Sequence, residues 1–324
     1  MRGTVMNRRQ FMAGAAAAAG VVFDPRPAGA EGVRVGAEGA SLHCFSKPLQ
    51  WLGYDALAET LAQAGFRGID LTVRPGGHVL PENAARDLPR AVEAARGQGL
   101  KVGMIVTAIQ SADDPLAERV LKTAAQCGVR VYRMGYFRYG EGRGVGEEID
   151  AFRGTFAALE KLNRACGITG CYQNHRGMGE RNFGAVLWDL HAVLKGLDPR
   201  WIGCQFDVLH ASAEISDSWV TGMRLMAPYI RSTCLKDYAW TGESKRQLLC
   251  VPAGEGAVVW KRYFELVKEL RVGGPVSVHC EWELFTKGEQ ALPEEGRRAV
   301  ALRKMRRERE FFAAQFAKYG LTAE

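Results

Sequence analysis

The sequence has no CxxC pair, no GxGxxG turn after its first strand-like run and, past its first thirty residues, no apolar stretch long enough to span a bilayer. The missing glycine fingerprint weakens a dinucleotide-binding reading. The missing long apolar run leaves no transmembrane helix, which needs about 20 such residues. Eight cysteines are present, but Cys44, Cys171, Cys204, Cys234 and Cys280 each lie inside an apolar, strand-like run. There a cysteine serves as a small buried hydrophobe, although a pair on neighbouring strands stays open. There is no disorder-prone bias either: of 324 residues 47% are hydrophobic and 24% charged. The basic stretch RRAVALRKMRRERE (297–310) lacks the aromatic or glycine-rich interleaving of a nucleic-acid site and reads as the solvated face of a last helix.

The first thirty residues are distinctive. Arg8 and Arg9 precede Gln10 and Phe11, a short run of small and apolar residues comes next, and PAGA offers a cleavage site after Ala30. This is the layout of a twin-arginine export signal, so residues 1–30 are set apart and 31–324 form the folded domain. The expectation is an exported, periplasmic protein that meets the twin-arginine machinery transiently. The segment holds Arg2, Arg8, Arg9 and Arg26 against Asp24, so its removal lowers the formal net charge from +7 to +4.

The rest of the chain repeats strand and helix. Strand-like runs occur at 41–47, 68–73, 101–109, 129–137, 168–175, 201–210, 230–238 and 275–284. Helical patterns separate them, at 54–65, 84–99 (with Pro89 near the start), 115–128, 147–167, 185–197, 218–229 and 257–271. The strands are short apolar runs, as strands buried on both faces are. Eight such units predict one α/β domain, a closed (β/α)8 TIM barrel, with an open doubly wound sheet as the alternative.

A barrel of this kind places its active site at the C-terminal ends of its strands. Polar residues gather there: Lys47, Asp70, Arg74, His78, Thr107, Arg133, Gln173, Asn174, His175, Asp207, His210, Lys236, Asp237, His279 and Glu281. Side chains two apart on a strand share a face, so Gln173 goes with Cys171 and His175, and His279 with Glu281. If these faces point inward, Gln173, Asp207, His279 and Glu281 surround one point. That donor set suits one divalent ion, with Mn²⁺ favoured and Mg²⁺, Co²⁺ or Zn²⁺ as options.

The pieces FSKPLQWL, GFRGIDLTVRPGGHVLPE, YQNH, DPRWIGCQFDVLHA, LKDYAW, VPAGEG and GPVSVHCEWE resemble the sugar phosphate isomerase/epimerase group of xylose isomerase-like barrels. The resemblance runs from Ser41 to Leu284. It implies one metal ion held by Glu, Asp, His and Glu from strands five to eight, and a proton moved beside a sugar carbonyl. Asp207 and Glu281 match two of those ligands. The first Glu falls on Gln173, the His ligand falls on Cys234, and His210 matches a substrate-binding histidine. An amide has no useful basicity near neutral pH, so a two-carboxylate proton shuttle is in doubt.

Lys236 and His175 are then the candidate bases, Lys236 through a lowered pKa. His279 is a candidate for the place left by Cys234. Arg74, His78, Arg133 and His210 are candidate substrate contacts. The expected activity is carbohydrate isomerisation or epimerisation on a small-molecule substrate. A lyase acting on 3-ketoglycosides shares the same first step, and a non-catalytic carbohydrate-binding barrel is a third reading. Self-assembly into a homo-oligomer stays open.

Overall fold

The computed structural model describes residues 41–177, 181–242 and 247–321. The expected export segment lies outside them. The strands are β1 (Leu42–Phe45), β2 (Gly68–Thr72), β3 (Lys101–Val106), β4 (Val131–Arg133), β5 (Thr169–Gln173), β6 (Ile202–Asp207), β7 (Ile230–Leu235), β8 (Asp237–Thr241), β9 (Gln247–Val251) and β10 (Val276–Val278). Among the described residues β8 and β9 pair only with each other. The other eight close into a parallel barrel, in which β10 completes the ring by pairing with both β7 and β1. The expected (β/α)8 barrel is therefore observed.

The helices lie between the strands: α1 (Tyr54–Gln63), α2 (Ala84–Gly97), α3 (Ala117–Gln126), α4 (Val145–Cys166), α5 (Trp188–Leu194), α6 (Val208–Ile215), α7 (Trp219–Met226), α8 (Trp260–Glu269), α9 (Lys287–Gln290) and α10 (Glu294–Tyr319). Gly167 and Gly320 end α4 and α10 in the left-handed region, where a Cβ would be strained. Pro89 sits inside α2 rather than at its start. Among the described residues no helix is long and apolar enough to cross a membrane.

Strand alternation divides the core. Ile69, Leu71, Ile105, Tyr172 and Phe206 face outward into a large apolar layer beneath the helices, and all are buried. Each contributes about 1.5–3 kcal/mol of hydrophobic stabilisation. Inside the barrel the apolar filling is small, formed by Met104, Val131 and Cys171. His43 shares the interior with Gly68 and Gly103, where a Cβ on either glycine would overlap the imidazole. The eight cysteines are free thiols, among them the five expected in apolar runs, which are all buried.

One expectation needs correcting. The sequence pattern carries the seventh strand to Tyr238, but the barrel strand ends at Leu235. The antiparallel β8–β9 hairpin takes over from Asp237. The cause is Asp237 itself. Its Oδ1 accepts from the amides of Tyr238 (2.9 Å) and Val258 (3.0 Å). Its Oδ2 accepts from the amides of Gly254 (3.0 Å) and Gly256 (3.3 Å) and from Trp260 Nε1 (2.9 Å). A buried carboxylate satisfied by five donors fixes the chain's exit from the barrel and the entry to α8.

Candidate active site

The strand ends bring the polar residues together at one mouth. Arg133, Gln173 and Asp207 are the last residues of β4, β5 and β6, Lys236 comes directly after β7, and His279 directly after β10. All five are buried, and Glu281 lies just beyond. Asn174 fixes the backbone beneath. Its Nδ2 donates to the Asp207 carbonyl (3.0 Å), and its Oδ1 accepts from the Asp207 amide (2.8 Å). Asp207 also caps α6, its Oδ1 accepting from the His210 amide (3.1 Å).

Lys236 is the centre of the cluster. Its Nζ lies 2.9 Å from Glu281 Oε2, 3.2 Å from Asp207 Oδ2 and 2.9 Å from His210 Nε2. An ammonium has three N–H donors, so these contacts use all of them. Lys47 reaches the other Glu281 oxygen at 2.8 Å. Burial alone would lower the Lys236 pKa, but the Asp207 and Glu281 carboxylates outweigh it and hold the value well above the ordinary lysine range. Nζ is thus held between two carboxylates, an arrangement that works against the lowered pKa expected of Lys236 as a base. The same pairing works in reverse on its partners. Burial would raise Asp207 and Glu281, yet the Lys236 charge above all brings both below the usual carboxylate range.

Gln173 has a determined orientation. Arg133 Nη1 donates to its Oε1 (2.9 Å), as does the Tyr136 hydroxyl (2.5 Å). A guanidinium only donates, so the atom facing it is the oxygen. The amide nitrogen is left to donate to Asp207 Oδ2 at 2.7 Å. The uncharged residue thus bridges a cation and an anion, which a carboxylate in its place could not do.

The histidines divide by role. His210 accepts from Lys236, so its Nε2 is unprotonated, and burial together with the Lys236 charge keeps it neutral. His175 packs against it with ring centroids 3.8 Å apart, and Tyr136 lies at 5.0 Å. His175 Nδ1 donates to the Arg176 carbonyl (3.1 Å), which leaves the lone pair on Nε2 without a partner among the described residues. Burial, then Lys236, lowers its pKa. His279 stacks on Phe45 at 4.2 Å and lies between Glu281 (3.4 Å) and Asp70 (3.7 Å). His78 is committed to the fold, with Nδ1 3.1 Å from Thr72 Oγ1 and Nε2 3.1 Å from the Leu49 carbonyl. Arg74 lies at the rim, its guanidinium 5.9 Å from the Phe45 ring centroid.

The expected metal ligands do not converge on a free point. Gln173 turns its oxygen away, His279 faces Asp70, and Asp207 Oδ2 and Glu281 Oε2 are bonded to the Lys236 ammonium. Among the described residues no group of three or more His, Cys, Asp or Glu is placed to hold a metal ion. The sequence pattern does not reveal Tyr136 or the structural role of Asn174. Tyr136 lies three residues past β4, where spacing gives no sign of its direction.

A closed parallel barrel with its polar residues gathered at the C-terminal strand ends defines the class as a (β/α)8 protein with its site at the mouth. The family model of the xylose isomerase-like TIM barrel matches residues 58–307, and the chain belongs to that family. No curated protein matches the sequence. Solved structures resemble the fold at low identity. The IOLI protein with a bound zinc atom is 13% identical, with a TM-score of 0.65 over 86% of this chain and 99% of that one. A 3-keto-D-glucoside 4-epimerase from E. coli is 13% identical, with a TM-score of 0.59 over 82% and 99%. A probable 3-DHS dehydratase from Bacillus anthracis is 13% identical, with a TM-score of 0.60 over 82% and 97%. At such identities the likeness establishes the fold alone.

Proposed function

We propose that the protein is a carbohydrate-directed enzyme of the isomerase/epimerase type that removes a proton from the carbon beside a substrate carbonyl. The observation that carries this is the position of His175, whose Nδ1 is engaged by the Arg176 carbonyl and whose Nε2 has no partner among the described residues, next to the buried Lys236 side chain held by two carboxylates. The substrate carbonyl oxygen is directed at the Lys236 side of the cluster. His175 Nε2 takes the proton from the adjacent carbon, the C–H electron pair becomes an enediolate, and the positive charge of Lys236 opposes the charge developing on oxygen. Tyr136, Arg133 and Gln173 hold the wall behind His175. Arg74 and Lys47 at the rim suit contacts to outer hydroxyls.

His175 is the base this scheme uses. Asp207 and Glu281 are tied to Lys236 with lowered pKa values, so neither takes up protons at neutral pH. Epimerisation by two acids on opposite faces has no second acid here. A one-face reaction needs none, whether the proton returns to the neighbouring carbon or a β-substituent is eliminated. Elimination from a 3-ketoglycoside is thus the second reading, and the fold-level likeness to a ketoglucoside epimerase and a dehydratase supports keeping it beside isomerisation. The twin-arginine start supports action on sugars outside the cytoplasm.

The test is solvent deuterium incorporation into a panel of ketoses and 3-ketoglycosides, read by mass spectrometry for the native protein and His175→Ala. Exchange or elimination by the native chain, lowered by about 10²–10⁴ in the variant, is the expected result. Absence of exchange across the panel would favour a carbohydrate-binding barrel without catalysis. Full activity in His175→Ala would remove the base from this scheme.

A further inference from the structure

We infer that the Lys236 ammonium occupies the place of the divalent ion expected from the resemblance, so that this chain carries its site cation covalently. The inference rests on the same cluster as the proposed reaction but on none of its chemical steps.

Three observations carry it. The first is the position of Nζ. It is bonded at once to Asp207 Oδ2 and Glu281 Oε2, the two carboxylates retained at the expected ligand positions, and to His210 Nε2. Those are two hard oxygens and an imidazole nitrogen, the donor types a divalent ion takes. A divalent ion could reach them only by expelling an ammonium that is 5% exposed and would lose all three of its acceptors.

The second is charge. With Gln at 173 the acidic residues at the expected positions fall to Asp207 and Glu281. Lys236 and Lys47 already oppose those two charges. A further doubly charged ion would find no net negative charge to compensate it and would sit against Nζ.

The third is the pair of substituted positions. Gln173 presents its oxygen to Arg133 and Tyr136 and its amide N–H to Asp207, the reverse of a ligand's orientation. Cys234 is buried near the end of β7 and puts no imidazole at that position. These features agree with one another: no acid at 173, no imidazole at 234, and a tethered cation at 236 that satisfies the two carboxylates that remain.

The test needs no substrate, so its outcome is separable from that of the proposed reaction. Native protein is incubated with Mn²⁺ or Zn²⁺, desalted and assayed for metal, and its melting temperature is measured with each ion and with EDTA. Lys236→Ala is treated identically. The native chain is expected to retain well under one ion per chain, with a melting temperature that neither metal nor EDTA moves. In Lys236→Ala the freed Asp207, Glu281 and His210 are expected to bind Mn²⁺ or Zn²⁺ about 100-fold more tightly than the native chain, raising the melting temperature in a way EDTA reverses. Stoichiometric metal in the native chain, or its stabilisation by Mn²⁺ or Zn²⁺, would overturn the inference. So would a folded Lys236→Ala that gains no metal. Should that variant not fold, the native arm decides alone.

Discussion

Replacing Lys236 with Met keeps most of the side chain's volume and removes only the charge. The ammonium is 5% exposed and has contacts at 2.9, 3.2 and 2.9 Å, so solvent does little to screen it. The variant leaves Asp207 and Glu281 buried without their common partner. Breaking a buried pair in this way costs about 3–5 kcal/mol, or about 6–10 °C in melting temperature for a domain this large. The pH dependence is more diagnostic. In the native protein both carboxyls are held below their unfolded values, so their contribution is present above those values and is lost only as pH falls through the folded ones. In the variant the shared cation is gone, burial is opposed only by the remaining partners such as Lys47, and the carboxyls rise. Protonation on acidification then relieves the strain. Melting followed by circular dichroism should show the full gap near pH 8 and a much smaller one near pH 5. A gap that is equal at both pH values, or below about 1 kcal/mol throughout, would refute an electrostatic role for Lys236.

If His175 is the base, the acid limb of the rate profile should fall below the ordinary imidazole value of about 6.5, because burial and Lys236 lower its pKa; an acid limb above that value would count against it. Gln173→Glu sets a second carboxylate 2.7 Å from Asp207 where an amide N–H now donates, and should lower both turnover and melting temperature in ordinary stability and exchange assays. Asp237→Ala strips five donors of their acceptor at the hairpin base, and chemical denaturation should show a loss of about 3–5 kcal/mol. Changing Arg8 and Arg9 to Lys should trap precursor in the cytoplasm, and unchanged export on fractionation would remove the signal reading.

The barrel was legible because its strands are apolar on both faces and recur with helices between them, a pattern local in sequence. The gathering of Gln173, Asp207 and Lys236 at one mouth is implied by strand ends alone. The direction of the Lys236 pKa is not. It depends on two carboxylates 29 and 45 residues away in the chain, and the balance between burial and charge is set by distances of about 3 Å. The hairpin after Leu235 is hidden for a related reason. Asp237 reads as one more strand-end acid, and only its five donors, four of them distant in sequence, reveal that it ends the barrel strand. His78 is a polar residue of the mouth whose ring nitrogens face the end of β2 at Thr72 and the turn after β1 at Leu49, contacts that spacing does not reveal.

The ring closes through one of its shortest strands. β10 has three residues, and its register against β1 and against β7 is three pairs wide on each side. Just past it stand His279 and Glu281, and Glu281 is joined to Lys47 across 234 positions of chain. During synthesis the cluster therefore has no anionic partner for Lys47 until the last strand is made, and the barrel keeps two open strand edges until then. The contact pairs residues of large sequence separation, the kind of non-local pairing that slows folding. In the finished protein His279 and Glu281 stand directly beyond this three-residue strand, so hydrogen exchange at the β10 amides would follow any local opening that separates Glu281 from Lys47 and Lys236.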